Sequence, residues 1–169
     1  MDKLWAPWRI NYIKSTKTKS TACVFCEAVR PSGGKHVVFS TRHSVAVLNI
    51  YPYNNGHTLI SPKRHVRDLS RLSDDEKLDL FRALDIARRA LEDTMRPDGF
   101  NIGINISKAA GAGITGHVHV HIVPRWIGDT NFMPALCATK VISQSLSELH
   151  RQLQRALKKR KFREVHIDD

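Results

Sequence analysis

The sequence has few of the features that mark secreted or membrane-bound chains. Its 169 residues include only three cysteines, an odd number that argues against a disulfide framework and favours a reducing compartment. No apolar run approaches the length of a membrane span, and the first nine residues lack the apolar core of a signal peptide. Internal repeats are also lacking. We therefore expect one cytoplasmic domain that does not enter a membrane.

Acidic residues are scarce relative to basic ones, with 16 Asp and Glu against 27 Lys and Arg and a formal net charge of +11. Such an excess predicts an anionic partner, but it does not distinguish a nucleotide from a nucleic acid or a membrane surface. Much of it lies in residues 14–19 and 158–163, and such clusters are often solvated tails or helix ends. A basic nucleic-acid-binding module is therefore one hypothesis, although no recognition motif accompanies it.

The sequence does contain a strict alternation of histidine with branched apolar residues, which begins at His117 and continues through His119 and His121. A period of two predicts a strand, with the three imidazoles on one face and the apolar residues in a core. Same-face residues on a strand lie roughly 6–7 Å apart, near enough to act on one small substrate. One semi-buried histidine is ordinary, but three in register predict a site.

Other patterns complete the predicted fold. Short strand patterns cover residues 37–40, 44–50 and 57–61, and alternation returns at 100–107. The short loops between them imply antiparallel pairing. Ser73 and Glu76 form a capping box that opens a long helix, whose apolar stripe we expect to face the sheet: Leu78, Phe81, Leu84, Ala87, Leu91 and Met95. Residues 141–162 predict a second amphipathic helix.

Two of the cysteines predict half of a metal site. Cys23 and Cys26 are spaced as C-x-x-C, which brings two thiolates to one zinc ion, and a closed structural site needs two further ligands. His65, at a strand end, and His117 would complete a Cys2His2 set. A thioredoxin-like redox pair is less favoured because no buried strand precedes the motif. A rival hypothesis puts a catalytic metal on His117 and His119.

The middle histidine is then free to react. A neutral imidazole attacks phosphorus when one ring nitrogen is held as N–H and the other faces the phosphate. We expect His119 to be this nucleophile, with His57 as a supporting residue. Donors to the phosphoryl group are expected from His121 and from the residues of the neighbouring glycine-rich loop and strand end, namely Ser107, Gly111, Gly113 and Thr115.

These motifs resemble a known family. His117–Val123 matches the motif His-φ-His-φ-His-φ-φ, in which φ is apolar, of the histidine triad (HIT) superfamily. The Asn49-x6-Gly56-His57-x-Leu59-Ile60-x-Pro62-x-x-His65 segment is similar to the upstream strands of that family. The flanking segments 4–9, 110–113 and 124–132 resemble the branch of bacterial diadenosine tetraphosphate phosphorylases.

The resemblance implies a HIT-like α+β fold, with an antiparallel sheet of about five strands, a long packing helix and a C-terminal helix. It implies an N-terminal arm at 1–20, a HIT domain at 21–135 and a C-terminal helical extension at 136–169, in a homodimer or dimer-based oligomer. It assigns the nucleophile to His119, supporting roles to His121 and His57, and nucleotide contacts to Asn49 and Asn105. The implied ligands of a structural zinc ion are Cys23, Cys26, His65 and His117.

The expected function follows from the same resemblance. The enzyme would cleave an adenine dinucleoside polyphosphate through a nucleotidyl-histidine intermediate, with inorganic phosphate as acceptor. A hydrolase or phosphoramidase of the same superfamily that uses water is the alternative.

Overall fold

The computed structural model describes residues 22–30, 34, 36–129, 142–160, 162, 165 and 166. The predicted arm at 1–20 and Cys137 lie outside the described residues, as does the predicted boundary between residues 135 and 136. The division of the chain into arm, domain and extension therefore stays a prediction.

The centre of the fold is a five-stranded antiparallel sheet, as the sequence predicts. Its strands are β1 (Val37–Ser40), β2 (Ser44–Leu48), β3 (Thr58–Pro62), β4 (Gly99–Ile104) and β5 (Val120–Arg125). They lie in the order β1-β2-β3-β5-β4. The strand that carries the last motif histidine, β5, therefore pairs with β3 on one side and with β4 on the other.

The helices pack around this sheet. They are α1 (Val24–Ala28), a 3-10 turn (Leu69–Arg71), α2 (Asp74–Met95) and α3 (Leu146–Arg160). The predicted capping box is present, since the Ser73 hydroxyl accepts from the N–H of Glu76 while the Glu76 carboxylate accepts from the N–H of Ser73. In the described part of the chain, no helix is long and apolar enough to span a membrane.

The long helix α2 buries only part of the predicted stripe. Leu84, Ala87 and Leu91 are in the core and Met95 packs against it, but Leu78 and Phe81 are 52% and 70% exposed, so the prediction that these two face the sheet is wrong. The buried face is completed instead by Leu80, Ala83 and Ala90. Small alanines allow the helix to lie close to the sheet, and apolar spacing alone does not distinguish two adjacent faces of a helix.

The histidine strand is also shorter than predicted, because β5 begins at Val120 and leaves His117 and His119 just before it. Before Val120 the backbone hydrogen bonds no longer follow the regular strand ladder. The N–H of Val118 donates to the carbonyl of Val66 at 2.7 Å, and the carbonyl of Val118 accepts from the Ser61 hydroxyl at 3.1 Å. These bonds lie outside the regular ladder but satisfy the same backbone groups.

Gly56, directly before His57, has a backbone conformation that favours glycine. Its φ is +80°, and a Cβ built there would lie 2.8 Å from Met95 Sδ and 2.9 Å from Pro124 Cγ. The methionine can move, but the proline ring belongs to β5 and cannot. Gly56 therefore lets the loop before β3 approach β5 closely.

We predict that Gly56→Ala destabilises the fold by about 2 kcal/mol or more, through left-handed backbone strain and overpacking. The free energy of unfolding from urea denaturation is the measurement. Gly99→Ala is the matched control, since nothing lies within 4 Å of a Cβ at that position. Equal stability of the two variants would contradict the prediction.

Candidate active site and metal centre

His57 and His121 are joined by a hydrogen bond, and a backbone N–H that contacts His57 determines which ring nitrogens of the pair carry protons. The N–H of Tyr53 donates to His57 Nδ1 at 3.0 Å, so that nitrogen carries no proton. The amide of Asn49 faces the same nitrogen at 3.2 Å. The proton of neutral His57 therefore lies on Nε2, which donates to His121 Nδ1 at 2.9 Å. His121, as the acceptor, carries its own proton on Nε2.

His119 has the opposite tautomer. Its Nδ1 lies 2.9 Å from the carbonyl oxygen of His117, which can only accept, so Nδ1 carries the proton. The lone pair of the neutral ring is therefore on Nε2. The side chain is buried, with 4% of its surface exposed, and its ring centroid lies 4.9 Å from that of His121.

Burial keeps both rings neutral. It lowers the pKa of His119 below the ordinary histidine value. Burial, followed by the nearby His119, lowers the pKa of His121 to about 4. His121 Nε2 is a buried atom with no hydrogen-bond partner among the described residues. The site therefore presents an unprotonated Nε2 on the neutral ring of His119 and an N–H donor without a partner among the described residues, Nε2–H, on the ring of His121.

His117 belongs to a second cluster. Its Nε2 lies 2.8 Å from the carbonyl oxygen of Pro62, which fixes the proton there and leaves Nδ1 bare. That nitrogen lies 3.3 Å from Cys23 Sγ and 3.8 Å from Cys26 Sγ. Cys26 Sγ in turn lies 3.2 Å from His65 Nδ1. The ligand atoms of these four residues all lie within 4.8 Å of one another.

This donor set fits a metal ion. Tetrahedral zinc–sulfur and zinc–nitrogen bonds separate the two ligand atoms by roughly 3.5 Å, close to the sulfur–nitrogen distances in the cluster. Burial and then the neighbouring Cys23 raise the pKa of the Cys26 thiol, so a cation would supply the charge that ionises the pair. The two cysteines and His65 would be held together with His117 by such an ion.

Phe25 connects the two clusters through packing. It lies between the cysteines in sequence and is fully buried. Its ring is edge-on to His117 at 5.2 Å and tilted against His119 at 5.0 Å, measured between centroids. Helix α1 therefore supports the ring of His119 as well as carrying Cys26.

Two further residues of the site were not predicted from the sequence. Tyr53 lies parallel to His121, with an interplanar angle of 8° and centroids 5.7 Å apart, and also contacts His57 at 4.6 Å. The neighbouring Asn54 donates to Asp129 Oδ2 at 2.8 Å. Together they hold the loop before β3 against the histidine pair.

Asp129 also binds the residues at the end of β5, next to its contact with Asn54. Its two carboxylate oxygens accept from Nε and Nη2 of Arg125 at 2.6 and 2.7 Å, and Oδ2 also accepts from the N–H of Trp126. The spacing of Arg125 and Asp129 gave no signal in the sequence, because residues four apart face each other on a helix and not at the end of a strand. The contact with Asn54 gave none either, since it joins two distant loops.

The predicted nucleotide-binding residues fall into three groups. The Asn49 side chain bonds to His57 and accepts from the N–H of Tyr51 at 2.9 Å. Asn105, Ser107 and Thr115 line a cleft that also includes His117. The remaining two, Gly111 and Gly113, lie in the loop before the histidines.

The family model described as HIT domain matches residues 31–126 of this chain. A protein of Mycobacterium tuberculosis named AP-4-A phosphorylase is 38% identical over 161 residues, which cover 90% of this chain and 83% of the relative. A Saccharomyces cerevisiae protein named adenosine 5'-monophosphoramidase is 31% identical, with 84% of this chain and 90% of the relative covered.

A solved structure is also similar. It is described as a Zn-bound histidine triad family protein from Mycobacterium smegmatis and has a TM-score of 0.65 and 29% identity. The match covers 83% of this chain and 96% of that one.

The proton positions make a prediction that does not depend on activity. In protein labelled with ¹⁵N-histidine, ring nitrogen shifts at neutral pH should report His119 as the Nδ1–H tautomer and both His57 and His121 as Nε2–H tautomers. In His57→Ala, His121 loses the donor that fixes its proton on Nε2, so its ring should become a mixture of the two tautomers. The tautomer of His119 should stay unchanged, because a backbone carbonyl holds that ring. An Nε2–H tautomer on His119 would contradict the assignment.

Proposed function

Because this chain belongs to the HIT domain family, we propose that it is a nucleotidyl transferase. It cleaves dinucleoside polyphosphates such as diadenosine tetraphosphate through a covalent nucleotidyl-histidine intermediate. The observation that carries the proposal is the bare Nε2 of buried, neutral His119 beside the unused Nε2–H of His121. The relative named AP-4-A phosphorylase supports the substrate class.

In the first step, the Nε2 lone pair of His119 attacks the α-phosphorus of the bound dinucleotide. A P–N bond forms, and the P–O bond to the nucleoside polyphosphate breaks. The carbonyl of His117 stabilises the positive charge that develops on the His119 ring, because it already accepts from Nδ1. No proton has to leave the nucleophile before it attacks.

His121 donates a hydrogen bond where negative charge develops in this step. Its Nε2–H is unused in the free protein, and His57 holds the ring in that orientation. A neutral imidazole does not give up this proton completely, because an imidazolate would remain. A leaving nucleoside polyphosphate needs no full proton, whereas a leaving amine does. This difference favours phosphoanhydride over phosphoramidate substrates.

In the second step, an acceptor releases the nucleotide from His119. With diadenosine tetraphosphate, inorganic phosphate as acceptor gives ADP and ATP, and water gives AMP and ATP. We propose phosphate as the acceptor, in line with the name of the Mycobacterium tuberculosis relative. A phosphoramidase that uses water is the second candidate, favoured by the similarity to the Saccharomyces cerevisiae protein.

The nucleotide itself would be held by residues near the end of β4 and in the glycine-rich loop. Asn105, Ser107 and Thr115 would donate side-chain hydrogen bonds to the phosphates, and the loop amides at Gly111 and Gly113 would approach them closely. Asn49 supports the site through its bond to His57 and is the proposed ribose-side contact.

We also propose that the Cys2His2 cluster holds a structural zinc ion. The donor distances and the description of the Mycobacterium smegmatis structure as Zn-bound support this assignment. All four coordination positions would be filled by protein, which leaves no open position for substrate. The ion would fix α1 to the start of the histidine motif and take no part in the transfer.

The proposed assembly is a cytoplasmic homodimer. The free edge of β4, at one end of the sheet, carries Ile102 with 49% of its surface exposed, which supports a subunit contact there. A nucleic-acid-binding module has less support. On the basic helix α3, Arg160 pairs with Asp93 and Arg151 pairs with Glu148, so these two cations are already used within the fold.

We predict that His119→Ala lowers turnover of diadenosine tetraphosphate by at least about 10³-fold, because the nucleophile is removed. Product chromatography with and without phosphate is the measurement. Labelled dinucleotide should leave an acid-labile adduct on the parent protein and none on the variant. Free imidazole should partly restore turnover to His119→Gly. Unchanged activity, or an adduct on another residue, would contradict the mechanism.

The zinc assignment is tested separately by removing its ligands. The Cys23→Ala/Cys26→Ala variant should lose the bound zinc and unfold at a lower temperature, since metal binding contributes directly to folding. Metal analysis and thermal unfolding are the measurements, and a chelator should lower the melting temperature of the parent protein only. Cys137→Ser is the control, since it removes a thiol that is not one of the four proposed ligands. Full zinc content in the double variant would contradict the assignment.

A further inference from the structure

A cleft of about 390 Å³ lies beside the histidine site. One wall is the turn that contains Arg67 and Arg71, and the other contains Asn105, Ser107 and Thr115. His117 also lines the cleft, and it lies two residues before His119 in the chain. The roles proposed above for the histidines do not account for the two arginines.

The two arginines of the cleft are exposed, and neither forms an ion pair with another described residue, although both add to the lowering of the pKa of Asp68. By contrast, Arg64 donates twice to the Glu76 carboxylate, at 2.8 and 2.6 Å. Two exposed guanidinium groups on one turn offer planar donors suited to phosphate.

The one acidic residue of the cleft is occupied locally. Asp68 Oδ1 accepts from the N–H of Ser70 at 2.9 Å, as the cap of the 3-10 turn. That bond is the main reason that the pKa of Asp68 is lowered, and Arg71 and Arg67 add to it. The carboxylate thus orders the turn that carries the arginines and leaves the cleft with a net positive charge.

The opposite wall supplies neutral donors. The side chains of Asn105, Ser107 and Thr115 make no hydrogen bond with any other residue that the structure describes. Ser107 has a left-handed backbone, with φ of 70°, at the point where the chain leaves the end of β4. The cleft therefore combines cations and unused neutral donors, a combination that fits a chain of phosphates.

The chemistry of transfer gives this cleft a specific occupant. In an in-line displacement the leaving oxygen departs opposite the attacking atom. An acceptor that then displaces the His119 nitrogen must approach from the same side that the leaving group vacated. The leaving polyphosphate and the incoming acceptor therefore use one subsite, and an anionic subsite selects an anionic acceptor over water.

We infer that the cleft between Arg67 and Arg71 and the Asn105–Ser107 segment binds the phosphates of the leaving nucleoside polyphosphate and then inorganic phosphate as acceptor. This inference rests on the proposed function. In the second step an unprotonated oxygen of phosphate forms the new P–O bond and the P–N bond to His119 breaks. The electron pair returns to Nε2, and a nucleoside diphosphate leaves.

The test is the ratio of ADP to AMP formed from diadenosine tetraphosphate at a fixed phosphate concentration. This ratio is set after the adduct has formed, so it reports only the competition between phosphate and water. Arg67→Gln/Arg71→Gln should lower it by about tenfold or more, since each charged hydrogen bond contributes at least that factor. Arg155→Gln, which removes one exposed cation on α3, should leave it unchanged.

An unchanged ratio in the double variant would overturn the inference while leaving the proposed function intact. Binding of inorganic tripolyphosphate, measured by calorimetry, tests the cleft without catalysis. The parent protein and Arg155→Gln should bind it, and the double variant should bind at least about tenfold more weakly. If the parent protein cleaves no dinucleotide, this binding still decides whether the cleft is an anion site, and equal binding by all three would overturn it.

Discussion

The arrangement of the site depends on the two hydrogen bonds of His117. Its ring donates to the carbonyl of Pro62, which leaves Nδ1 facing the cysteines, and its own carbonyl accepts from His119. One residue therefore sets the proton on two imidazoles and joins the candidate metal centre to the candidate nucleophile. Any movement of the first motif histidine would change the direction of the second, so an ion held by the cluster would also help to orient the proposed nucleophile.

The backbone, and not a charged side chain, selects the tautomers in this site. His119 is held by a carbonyl and His57 by the N–H of Tyr53. A buried carboxylate beside an imidazole would favour its protonated form. The carbonyl of His117 raises the pKa of His119, but burial lowers it by more, so the His119 ring stays neutral while the carbonyl fixes its proton on Nδ1.

Local pattern predicted the sheet, but not the contacts between distant loops. Alternation and capping signals are short-range; they predicted the individual strands and the long helix, and the family resemblance implied a sheet of about five strands. The start of β5 at Val120 depends on a bond between Val118 and Val66, which no pattern encodes. The exposure of Phe81 and the Asn54–Asp129 contact depend in the same way on tertiary packing. Residue chemistry indicated the cysteine–histidine set, whereas the cleft at Arg67 and Arg71 is apparent only once two chain segments meet.

Neutral and charged groups are separated in this protein for an energetic reason. A cation buried next to His119 would lose its hydration, and that cost is recovered only when a well-placed anion is always present. The substrate brings its negative charge only while it is bound. Cations at an exposed wall, such as Arg67 and Arg71, would attract the phosphates without that cost when the site is empty, while the buried rings supply a lone pair and one donor. In the proposed reaction, the net charge of the chain would therefore promote binding, and bond formation would be left to groups that carry no charge.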